Sequence, residues 1–153
     1  MANTFEDIAA RLAENEQAVG ALYERFAESF PEDRELWVAL ARDEGQHAES
    51  IRGMLAAIPA EALRRPVQAI RLQAVATMKA YVESLAERCQ RGELTRISAL
   101  ALGRDIENSL LEGKLFDVLS AAPATVVRVD EDLAAATREH RARIASALER
   151  AKG

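Results

Sequence analysis

Sulfur is nearly absent from this sequence. Its one cysteine, Cys89, can close no internal disulfide and supplies no Cys-x-x-Cys zinc site. It reads as a small buried hydrophobe on a helix. Proline (4) and glycine (7) are scarce for a chain with many turns, while Ala, Leu, Glu and Arg are plentiful, which favours long helices over strands. Long apolar runs are missing too: nothing approaches the ~18 uninterrupted apolar residues that a membrane-spanning helix needs. The opening residues, Met-Ala-Asn-Thr-Phe-Glu-Asp, carry no basic stretch followed by an apolar one, so no secretion signal is expected and the expected compartment is the cytoplasm. The net charge is -5 with both signs interspersed, and no face or tail is dense in Lys and Arg. Nucleic acid and membrane surfaces are therefore not expected partners.

What is present suits one ordinary domain over residues 1–153, with 49% hydrophobic and 29% charged residues. Apolar residues recur at three-four spacing at Phe5, Ile8, Leu12, Val19, Tyr23, Phe26 and Phe30, which predicts a first helix over roughly 4–30. Thr4 with Asp7 resembles a capping box, and Pro31 breaks the helix. A second helix is predicted over roughly 33–58, with Trp37, Leu40, Ile51, Met54 and Ile58 on its face, stopped by Pro59. A long connection follows, whose middle, roughly 67–89, reads as another helix. The third main helix is expected over roughly 95–119, with Ile97, Leu100, Leu111, Leu115 and Val118 inward. The fourth has Asp130 as its expected N-cap and carries Leu133, Ile144 and Leu148. The brief 125–129 run is the longest strand-like pattern. The expected fold is all-α, with two short-turn helix pairs joined by one long crossover that contains an additional helix. That is the connectivity of a ferritin-like four-helix bundle. A solenoid or a five-helix up-and-down bundle fits less neatly.

Ionisable residues interrupt the apolar stripes. Glu16 stands between Leu12 and Val19, Glu44 and His47 between Leu40 and Ile51, Glu107 between Leu100 and Leu111, and His140 between Leu133 and Ile144. An isolated carboxylate in such a setting costs several kcal/mol unless it is paired, protonated or metal-bound. Their depths also agree. Glu16 is 14 residues before Phe30 and Glu44 is 11 after Asp33, so antiparallel helices rising ~1.5 Å per residue bring them to nearly one level. Glu107, 12 before Leu119, and His140, 10 after Asp130, meet likewise. Both histidines of the chain fall in this layer. Three glutamates and two imidazoles suit iron or manganese, with zinc as an adventitious occupant. The alternatives are a buried Glu44–His47 hydrogen bond, pairing of Glu107 with Arg104 or Lys114, and His140 as an ordinary core histidine.

Glu16, Tyr23 and Phe26-Ala27, followed by Glu44-Gly-Gln-His47-Ala48, resemble the first half-site of the rubrerythrin branch of the ferritin-like superfamily. The resemblance covers about residues 14–51, and the segment from Glu107 to His140 repeats it more weakly. It implies two bound ions, most simply iron, with Glu16, Glu44, His47, Glu107 and His140 as ligands and Tyr23 hydrogen-bonded to a ligand carboxylate. It further implies redox handling of peroxide, dioxygen or ferrous iron. The chain departs from the pattern in three ways. Position 137, where the second Glu-x-x-His would begin, is Thr137. Lys114 sits seven after Glu107, where Tyr23 has its counterpart. No pair of Cys-x-x-Cys motifs marks a rubredoxin domain, so any electron donor is expected to be a separate protein. Bundles of this type often pair through a helix face, so a homodimer is expected. Three function classes follow: a redox-active di-metal protein, a bundle with a weakened or single-ion site for storage or sensing, and an interaction module whose polar layer is a metal-free ion-pair network.

Overall fold

The computed structural model describes residues 3–112 and 124–153, and the described chain is helical throughout apart from turns and one isolated bridge between Thr4 and Pro66. The first helix, α1 (Phe5–Ser29), opens on a complete capping box. The Thr4 amide donates to Asp7 Oδ2 at 2.9 Å and the Asp7 amide donates to Thr4 Oγ1 at 3.2 Å, satisfying two donors that a bare helix end leaves unpaired. Pro31 forces a short 3-10 turn, Pro31–Asp33, and α2 (Arg34–Leu55) returns along α1. After Pro59 the crossover holds one short turn of helix, α3 (Ala60–Leu63), and a long helix, α4 (Ala69–Gln90), which packs on α1. Helix α5 (Arg96–Glu112) packs against α6 (Ala124–Lys152), and α6 also meets α2.

The all-α expectation holds, and two local expectations, Asp130 as an N-cap and Ile97 as an inward residue, do not. Asp130 is not an N-cap: α6 begins six residues earlier, and Asp130 is buried within it. The strand-like 125–129 run is helical for the same reason. The helix penalty of β-branched residues is a few tenths of a kcal/mol each, and burying Val126 in the core outweighs it. Ile97 is not inward but 43% exposed. The buried face of α5 runs through Ala99, Leu100, Gly103 and Ile106, and Ile97, six residues before Gly103, lies about 120° round from it at ~100° per residue. Lys114, Leu115, Val118 and Leu119 lie outside the described residues.

Two apolar clusters make the core. One gathers Tyr23, Phe26, Trp37, Leu40, Leu85, Leu100, Ile106 and Ile144 near the α1–α2 turn. The other gathers Phe5, Ile8, Ala48, Ile51, Met54 and Val126 toward the opposite end. In α1, α2 and α6 the inward ionisable residues fall in sequence between the two. At the turn, buried Asp33 is the N-cap residue of α2, but its side chain makes no capping hydrogen bond. It accepts two hydrogen bonds from Arg96, at 2.7 and 3.0 Å, and so ties the α1–α2 turn to the start of α5.

Candidate metal centre

Each long helix except α4 contributes to one buried polar layer. Glu16 comes from α1, Glu44 and His47 from α2, Glu107 from α5 and His140 from α6. The three-residue step from Glu44 to His47 puts both on one face of α2. Gly20 lets that face approach α1 closely: a Cβ there would stand 3.3 Å from the Ala41 carbonyl and 3.4 Å from Glu44 Cβ. Any larger residue at position 20 would have to push the helices apart one turn from Glu16.

The five side chains form two triads that share one carboxylate: Glu16, Glu44 and His47, and Glu44, Glu107 and His140. In each triad the potential ligand atoms lie within 4.8 Å of one another. Glu44 is fully buried and turns one oxygen to each histidine. His47 Nδ1 lies 3.2 Å from its Oε2, and His140 Nδ1 lies 3.0 Å from its Oε1. Glu16 Oε2 stands 3.9 Å from His47 Nδ1, and Glu107 Oε1 stands 3.6 Å from His140 Nδ1, both too long for hydrogen bonds. The imidazole rings stack with centroids 5.4 Å apart. Two buried oxygens, Glu16 Oε2 and Glu107 Oε2, have no hydrogen-bond partner.

Burial raises the Glu16 pKa well above the usual carboxylate range, and the nearby Glu44 charge adds to it; His47 pulls the other way. For His47, burial lowers the pKa, but Glu16 and Glu44 overcome it and carry the value to about 10. His140 follows the same pattern with Glu107 and Glu44, also reaching about 10. The Tyr23 phenol is pushed well above its ordinary range, first by burial and then by Glu107. Without a cation, the layer thus attracts protons onto both imidazoles. A divalent ion is the other way to meet the same excess of negative charge.

The structure brings all five sequence-predicted ligand candidates together and sets Tyr23 beside them, its hydroxyl donating to Glu107 Oε1 at 2.7 Å. Thr137 is buried and faces the same interior, but its hydroxyl donates to the Leu133 carbonyl at 2.7 Å. Arg104 forms its ion pair with Asp105, at 3.6 Å, while Glu107 is met by Tyr23 and His140. Lys114 lies outside the described residues. Sequence reasoning missed Asp43, whose Oδ2 lies 3.0 Å from His140 Nε2 across 97 residues of chain. Asp43 sits off the apolar stripe of α2, so periodicity gives no sign of it; only its position directly before Glu44 could have drawn notice.

Fold and site together define an all-helical chain with a buried carboxylate–imidazole cluster of metal-ligand composition. Comparison with protein-family models, with curated proteins and with solved structures finds no match to the chain. No described helix is long and apolar enough to cross a membrane.

Proposed function

We propose that this chain is a metal-binding protein of the ferritin-like, rubrerythrin-like kind. It would hold two ions, iron foremost and manganese or zinc as substitutes, between Glu16, Glu44, His47, Glu107 and His140. The observation that carries the reading is the shared carboxylate: Glu44 presents one oxygen to each of two histidine-containing triads. The two unpartnered buried oxygens, on Glu16 and Glu107, fit the group as well, because a buried carboxylate oxygen left without a partner is costly unless a cation meets it. The oxygen-rich set with two imidazoles matches the preference of iron and manganese.

Bound iron would supply one-electron redox chemistry toward peroxide, dioxygen or ferrous iron, with electrons from a separate donor protein. The chain's own residues do the rest. Glu44 and the Nδ1 atoms of both imidazoles face one another and would be the groups that hold the ions, Asp43 holds His140 at its far nitrogen, and Tyr23 fixes Glu107. The apolar clusters on either side limit the entry of water. Pairing of two chains through a helix face belongs to the same reading.

Thr137 favours a second reading, in which one ion is held more weakly and the protein serves storage or sensing. Two divalent ions bring four positive charges against three from Glu16, Glu44 and Glu107, and Thr137 adds none. Elemental analysis after anaerobic loading with ferrous or manganous ion tests both. Two ions per chain are expected, one would select the second reading, and none would leave a metal-free ion-pair network.

A further inference from the structure

A half-open cavity of about 300 Å³ lies beside the polar layer, lined by α4 and by residues of the other long helices. That is the small end of the range for ligand pockets, ~300 to ~1,000 Å³. Its walls are largely aliphatic, among them Leu12, Val75, Met78 and Leu133. The polar groups that interrupt them all offer acceptors, and the Asn15 amide adds the only neutral N–H donors among these side chains. The Thr137 hydroxyl gives its hydrogen to the Leu133 carbonyl and the Ser109 hydroxyl gives its own to the Asp105 carbonyl, so both present lone pairs. Glu16 and Asp130 contribute carboxyl groups. Asn15 lines the cavity while only 4% exposed, and its Oδ1 has no hydrogen-bond partner. No Lys, Arg or His is among the lining residues.

From this pattern we infer that the cavity binds a small neutral molecule: an aliphatic body filling the apolar volume, and a hydroxyl head donating to Asn15 Oδ1. Each part of the inference has a physical reason. An aliphatic body removes apolar surface from water. A hydroxyl satisfies a buried acceptor that otherwise stands alone. A carboxylate head would lose its hydration with no lining cation to replace it. An ammonium head would be repelled by cations bound at Glu16, so it is excluded from the metal-loaded form. The site goes beyond the metal reading, though Glu16 and Thr137 enter both and the exclusion of an ammonium head rests on that reading; the choice of octanol over octanoate does not depend on it.

Octanol, octanoate and octylammonium separate the possibilities, because they share one chain and differ in the head group. Calorimetric titration of the purified full chain, both metal-loaded and chelator-treated, is expected to show one saturable octanol site. Its affinity should be at least about tenfold above that for octanoate, the factor a buried hydrogen bond of ordinary strength supplies. Asn15→Leu keeps the side chain's size and removes the acceptor, so octanol should lose about tenfold while octanoate changes little. Ala134→Phe, which fills the cavity, should abolish binding; helical circular dichroism reports whether that variant folds, and Asn15→Leu keeps the test open if it does not. Absence of saturable octanol binding in either form overturns the inference. So does octanoate binding as tightly as octanol in either form, octylammonium doing so in the metal-loaded form, or undiminished octanol binding by Asn15→Leu.

Discussion

The two triads that meet at Glu44 are held with unequal care. In the triad with Glu107 and His140 every member is at most 2% exposed, Tyr23 fixes the carboxylate and Asp43 holds the far side of the imidazole. In the triad with Glu16 and His47, the histidine side chain is 12% exposed and Glu16 stands 8% exposed. The hydrogen bond within this triad runs between His47 and Glu44. The better supported triad is also the one that includes the helix carrying Thr137 in place of a carboxylate. The two triads are thus equal in ligand number, two carboxylates and one imidazole each, and differ in how those ligands are supported. An imidazole gains basicity and a fixed ring orientation when its other nitrogen is engaged by a carboxylate, so the support around His140 offsets some of what Thr137 fails to supply.

Glu44→Ala breaks the comparison altogether, since it removes the member common to both triads. Elemental analysis of the loaded variant is expected to find no ion; one retained ion would show that the triads do not depend on a shared carboxylate. The metal-free variant should also unfold more easily, by on the order of 3 kcal/mol in denaturant titrations, because two buried imidazolium groups lose a partner.

Proton linkage puts both triads on one scale. With folded-state values of about 10 against an ordinary 6.5, His47 and His140 hold protons that the unfolded chain releases. Their contribution to metal-free stability is fully present below the unfolded value and is lost as pH rises through about 10. A metal ion must displace those protons, so affinity should rise across the same window, with protons released on binding near neutrality. Calorimetry in two buffers of different ionisation enthalpy measures the release; metal binding without it would place the ions away from the histidines.

Thr137→Glu sharpens the comparison by adding a carboxylate to the supported triad, one turn before His140. The weaker ion should tighten by roughly tenfold to a hundredfold. The metal-free protein should lose about 1–3 kcal/mol to the added buried charge. A lowered melting temperature with unchanged affinity for ferrous or manganous ion would count against the two-ion site. Asp43→Asn acts on one side only, and roughly tenfold weaker binding of a single ion is expected, with the His47 side unchanged. The smallest effect belongs to Tyr23→Phe, about 1 kcal/mol in unfolding, because His140 still faces the Glu107 oxygen that loses its phenol.

The layer was legible because helical phase and depth are both written in residue spacing. Glu16 against Glu44 needed only the rise per residue and the position of the α1–α2 turn, whereas the Leu119 from which Glu107 was counted lies outside the described residues. The depth argument used Asp130 as the start of α6 and the structure starts that helix at Ala124, yet His140 still reaches the layer. Phase along the apolar stripe, set by Leu133 and Ile144, constrained it more than the choice of cap. Contacts between helices from residues off the stripe were not legible. Asp43 to His140 and Asp33 to Arg96 join positions 97 and 63 residues apart, and no periodicity encodes such pairs. The cavity was equally hidden, since it depends on how α4 seats against α1 and not on any motif.

Trp37 is the only tryptophan in the chain. Its ring is fully buried and lies so near the Gly103 backbone that a Cβ there would come within 2.8 Å of it. It also stands 5.0 Å, centroid to centroid, from Tyr23, whose hydroxyl reaches Glu107. The molecule therefore carries its own optical reporter. Excited at wavelengths that tyrosine does not absorb, the protein emits from one indole, seated in a rigid apolar setting and one aromatic ring removed from a candidate ligand. Loading a paramagnetic ion should dim that emission, while a closed-shell ion such as zinc leaves it bright. Occupancy of the layer can then be followed by fluorescence without adding a label.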